Sequence, residues 1–96
     1  MTKIQLTQRM TAERIAFWRK YADTLEAWRF TPHNPPTDHP AAFRRDGDDP
    51  VTIMYILQFM YDRQQFASFD AWAFYLGRLT LIRERLDLLE QRNTAP

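Results

Sequence analysis

Five of the six prolines fall between residues 32 and 50, and neither flank, 1–31 or 51–95, contains one. A proline inside a helix removes a hydrogen bond and clashes with the preceding turn, at a cost of ~3 kcal/mol. Long helices are therefore free to form only on the two flanks. Gly47 and Gly77 are the only glycines, so tight hairpin turns are scarce and an all-β chain is disfavoured. At 96 residues the chain is the size of one domain with one modest core. Residues 1–10 are polar and unpatterned and read as a flexible lead-in.

On the first flank a helix is predicted over about 11–29. Thr11 can cap it, Glu13 suits the positive end of its dipole, and Thr31-Pro32 closes it. At 100° per residue, Ile15, Phe17, Trp18, Tyr21, Ala22, Leu25 and Trp28 fill an arc of roughly 160°, with Arg14 and Arg29 inside it, whereas packing on one neighbour needs about 100°. The excess requires either two neighbours within the chain or one neighbour and a partner. Phe17, Tyr21 and Trp28 are therefore candidate partner contacts.

The segment 31–49 is a connecting loop, with room for one helical turn at 40–44 and with Phe43 as an anchor to the core. Its histidines, His33 and His39, lack the i, i+4 spacing of a helical metal site and read as solvated. Asp46-Gly47-Asp48-Asp49 begins like a calcium loop, but Pro50-Val51-Thr52 adds no ligand and no glutamate stands at loop position twelve. Helix capping and solvation account for the cluster.

Asp49-Pro50 opens a second helix, 50–65, with Asp as cap and Pro at the first helical position. The β-branched and aromatic run from Val51 to Tyr61 would also suit a buried strand, and a small sheet in place of this helix is the competing model. Its length, its start and its polar tail Asp62-Arg63-Gln64-Gln65 favour helix. Because apolar residues surround it, this helix is expected in the middle of the domain.

A third helix is predicted over 68–92, capped by Ser68 with Asp70 in its first turn. One face carries Trp72, Tyr75, Leu76, Leu79, Ile82, Leu86 and Leu89. Nearly opposite runs a second line, Phe74, Leu81 and Leu88, spaced by seven, with Gly77 beside it and Arg78, Glu84 and Arg85 flanking it. Heptad spacing keeps such residues on one stripe when two helices wrap around each other. Phe74, Gly77, Arg78, Leu81, Arg85 and Leu88 are the sharpest candidate contacts for another chain. The alternative is a central third helix touching the other two on opposite sides.

Several function classes lose ground on composition. With no cysteine there is neither a thiolate nucleophile nor a Cys-type zinc site. A formal net charge of +1 gives no long-range pull toward nucleic acid, and the start of the third helix is apolar where base contacts need polar side chains. No apolar run has the length of a membrane span or signal peptide, which reads as a cytoplasmic protein. Neither paired carboxylates nor a Ser/His/Asp set nor a phosphate loop is evident. The expectation is an all-α, three-helix domain that is not an enzyme and needs no cofactor, metal or small-molecule substrate. It reads as a small bacterial regulator that binds and sequesters or inhibits a partner protein such as a transcription regulator, and that forms a homodimer. A dimeric structural or DNA-associated accessory factor is the alternative.

Overall fold

A computed structural model describes residues 9–28, 38–65 and 72–94, without the side chains of Gln65 and Trp72. It contains three α-helices, α1 (Ala12–Ala27), α2 (Pro50–Gln65) and α3 (Trp72–Thr94), with a 3-10 turn at Pro40–Ala42. No strand occurs among the described residues, so the sheet model for 51–61 is excluded.

The starts of α1 and α2 follow from their local chemistry. The Arg14 amide donates to Thr11 Oγ1 at 3.2 Å, and the Ile15 amide to the Thr11 carbonyl at 2.9 Å. At α2, both the amide and the hydroxyl of Thr52 donate to Asp49 Oδ2 at 2.8 Å. The 3-10 turn is capped by His39, whose Nδ1 accepts from the Ala41 amide at 3.2 Å. Gly47 supplies a left-handed backbone position, φ 95°, in the turn that leads to Asp48. The expected Ser68 cap and the first residues of the third helix lie outside the described residues, and α3 runs two residues beyond the expected end at 92.

The core is built from Ile15, Trp18, Tyr21, Ala22, Leu25 and Trp28 of the first segment, Ile53, Ile56, Phe59 and Met60 of α2, and Tyr75, Leu79, Ile82, Leu86 and Leu89 of α3. Each large side chain fully removed from water contributes ~1.5–3 kcal/mol. On α3 these residues recur at three and four, the stripe expected of a core-facing helix. Leu76, expected in that stripe, is instead exposed, and the Trp72 side chain lies outside the described residues.

The central element is α3, not α2. It packs closely against both other helices, whereas α1 and α2 make no comparable approach and the Tyr21 hydroxyl reaches Met60 Sδ between them at 3.7 Å. Expecting α2 in the middle treated apolar composition as proof of burial, but apolar side chains are common on protein surfaces. Reciprocal ion pairs flank the α1–α3 contact: Arg19 reaches Asp87 and Glu90, and Arg83 reaches Asp23 and Glu26, all at 2.7 Å. The ascending α1 numbers meet descending α3 numbers, so the two helices are antiparallel. These pairs are exposed, worth up to ~1 kcal/mol each, and they set register more than stability.

Residues 1–8 of the expected lead-in lie outside the described residues, but its last residue belongs to the fold. Met10 is buried, its Sδ accepts from the Asp49 amide at 3.4 Å and its carbonyl accepts from Asn93 Nδ2 at 2.8 Å. One methionine thus joins the starts of α1 and α2 to the end of α3.

Candidate functional site

Two adjacent aspartates join the three helices. Asp48 is buried and receives Arg14 of α1 through Nε at 3.0 Å and a terminal nitrogen at 2.8 Å, and it also accepts from the Arg45 amide at 3.0 Å. Asp49 receives Arg85 of α3 in the same two-pronged way, at 2.8 Å for both contacts. Burial alone pushes both carboxyls up. Hydrogen bonds from Arg14 and the Arg45 amide at Asp48, and from Arg85 and Thr52 at Asp49, outweigh it and hold both below the ordinary carboxylate range. The acidic cluster is therefore an internal clasp and not a solvated loop. Asp46 alone of its three carboxylates stays exposed.

Arg63 is a further buried charge. Only 1% exposed, it donates through Nε to the Trp28 carbonyl at 3.3 Å and lies 5.0 Å from the Trp28 ring and 5.8 Å from the Tyr75 ring. Burial pushes its pKa down. Asp62, its neighbour in the supposed polar tail, is buried as well and pairs with Arg78 at 3.1 Å. The polar run that favoured helix over strand at 62–65 does mark the end of α2, but its first two residues point inward.

The candidate contacts on α3 divide by burial. Phe74 is 53% exposed, Leu81 41% and Leu88 53%. A Cβ placed on Gly77 would meet nothing within 4 Å, so the strip beside them is open. Arg78 lies 5.0 Å from the Phe74 ring while paired to Asp62, and Arg85 is held by Asp49. Asp62 of α2 and Asp49 at its cap thus fix both arginines along one edge of the line. α3 is central and the line faces water all the same, because α1 and α2 occupy its other sides.

The α1 candidates fare differently. Tyr21 and Trp28 are buried, which removes both as docking anchors, and only Phe17 is half-exposed. The wide apolar arc of α1 is filled from within the chain. α3 covers one side, and the other meets Phe43 of the loop, whose ring stands 5.7 Å from Phe17 and 5.9 Å from Tyr21. The Tyr21 hydroxyl donates to the Asp38 carbonyl at 2.7 Å, and burial raises its pKa to about 12. Phe17, Tyr21 and Phe43 line a cleft of about 260 Å³ with Lys20 and Thr24 at its rim.

One surface was missed at the level of sequence. Met54, Leu57 and Tyr61 on the outer face of α2 are 55%, 38% and 61% exposed, beside an open hollow of about 410 Å³ bounded by Arg44, Pro50 and Gln58. Their i, i+3, i+7 spacing was the available signal, hidden by the apolar residues on every other side of the helix.

His39 spends Nδ1 on its capping bond, and His33 lies outside the described residues. Among the described residues no three His, Asp or Glu side chains gather where they could hold a metal ion, and no helix is long and apolar enough to cross a membrane. No family model, curated protein or solved structure matches the chain.

Proposed function

We propose that the protein is a small regulator that works by steric occupation, docking the outer faces of α3 and α2 on a partner protein and thereby sequestering or inhibiting it. The observation that supports this reading is the coexistence of a closed core with seven large hydrophobic side chains outside it among the described residues. Six of these form two ordered rows, Phe74–Leu81–Leu88 and Met54–Leu57–Tyr61. Scattered exposed apolar residues are ordinary, but aligned rows beside fixed arginines have the composition of interfaces, where aromatic, Met and Arg side chains are enriched. The aromatic anchors supply affinity, and Arg78 and Arg85, already immobilised by α2, supply orientation at little entropic cost.

The test is quantitative capture with purified wild type, Leu81→Asp and Met54→Asp, each checked for helicity. One specific protein retained in stoichiometric amount by wild type and lost with either variant is the expected result. Equal retention by all three proteins, or none by any, refutes the reading.

A further inference from the structure

The α3 row has two chemically different edges. Along one, at heptad spacing, stand Arg78, Arg85 and Arg92. Along the other stand Gly77, Glu84 and Gln91, also at heptad spacing. At 100° per residue each set lies about 40–60° from the central row. Beside Leu88 the second edge holds a shallow hollow of about 340 Å³ lined by Glu84, Asp87, Leu88 and Gln91. Glu84 is exposed and makes no ion pair among the described residues, while Arg78 and Arg85 are fixed on the opposite edge by Asp62 and Asp49.

From this asymmetry we infer that the occupant of the α3 face is a second copy of this chain, paired parallel about a two-fold axis that runs along the helices. A two-fold interface brings the same patch of both copies together. With the axis parallel to the helices, the basic edge of each copy meets the acidic edge of the other, so that Arg85 lies beside the partner copy's Glu84 and the Arg92 edge borders the hollow next to Leu88. An axis perpendicular to the helices gives antiparallel pairing and sets like edges together, which costs energy. Phe74, Leu81 and Leu88 then stack each on its counterpart over about 21 Å of helix, and the open strip over Gly77 gives the partner helix room to approach. A single-helix strip is narrower than the ~800 Å² per partner of a standard interface, so the dimer is weak. The α2 row stays uncovered in this arrangement, and a partner protein that docks on both faces displaces the second copy from α3, which a weak dimer allows.

The inference rests on the α3 face being a binding surface, and the absence of native cysteine makes its geometry measurable by cross-linking. In a parallel pair Leu88→Cys faces its own counterpart, within the ~7 Å Cα separation that a disulfide requires. In an antiparallel pair centred on Leu81 it faces position 74. The expected results are rapid homodisulfide formation by Leu88→Cys, no 74–88 heterodisulfide in a mixture with Phe74→Cys, and at least fivefold weaker self-association of Glu84→Arg by sedimentation equilibrium. A dominant 74–88 heterodisulfide, or unchanged self-association of Glu84→Arg, overturns the parallel arrangement. A monomer at every concentration overturns self-pairing. Specific capture of another protein that still depends on Leu81 would then show the binding reading intact while this inference fails.

Discussion

Replacing Asp49 by alanine removes two things at once, and their sizes can be set from the structure. The first is the α2 cap: Thr52 loses both bonds to Oδ2, and loss of such a cap costs about 1 kcal/mol. The second is the two-pronged bond from Arg85. Hydrogen bonds to charged groups are worth ~1.5–3 kcal/mol, but the Arg85 side chain is 28% exposed and regains water once freed, so about 1–2 kcal/mol is the fitting range. The two losses together come to about 2–3 kcal/mol. With a urea m-value near 1 kcal/mol/M, at the low end for small domains, the unfolding midpoint should fall by roughly 2 M with the slope unchanged. A cycle with Arg85→Ala and the double variant isolates the pair, and its coupling should be about 1 kcal/mol or more. A midpoint shift under about 0.5 M, or additive single losses, would refute the role given to the clasp.

The remaining expectations concern charge and backbone. Asp48 and Asp49 both have depressed pKa values in the folded state, so their contribution is complete above the unfolded carboxylate value of about 3.9 and is lost as pH falls through the folded values. Thermal stability should therefore decline steeply below about pH 4, and a Asp48→Asn, Asp49→Asn variant should start lower and flatten that decline; parallel curves would contradict the clasp. Arg63→Met should leave urea stability unchanged or raise it by up to ~2 kcal/mol, because one 3.3 Å bond does not offset burial of the cation. A comparable loss would show that the charge is needed. Gly77→Ala should stabilise by about 0.5–1 kcal/mol, as the site is helical with free space at Cβ; destabilisation would mean that the strip is not open.

The helices were legible because their boundaries are set locally. Thr11 and Asp49-Pro50 act within one turn of the positions they control, and the 50–65 helix follows from that start, its length and the polar run at 62–65. The outward turn of Phe74, Leu81 and Leu88 was legible for a related reason, since their angular separation from Leu79, Ile82 and Leu86 is a property of one helix. What could not be read was set by residues far apart in the chain. Asp48 meets Arg14 across 34 positions and Asp49 meets Arg85 across 36, and no short-range pattern distinguishes such carboxylates from solvated ones. The order of packing was hidden too. Periodicity tells which side of α2 is apolar but not whether a neighbour covers it, so α2 was placed in the centre and its Met54–Leu57–Tyr61 row was overlooked. Tyr21 and Trp28 are covered by Phe43 and Arg63, and although Phe43 was expected to anchor the loop, no local pattern says which face of α1 it meets.

The central claim, that the α3 row is bare on the single subunit and becomes covered in use, is tested most directly by solvent relaxation in NMR. A soluble nitroxide would be titrated against the Leu81 and Leu88 methyl signals and the Phe74 ring signals in dilute protein, and again at high concentration. The account predicts strong broadening of all three residues when dilute, comparable to that of Met54, and protection when concentrated, with Leu79, Ile82 and Leu86 protected throughout. Protection of Phe74, Leu81 and Leu88 at the lowest concentration would contradict it.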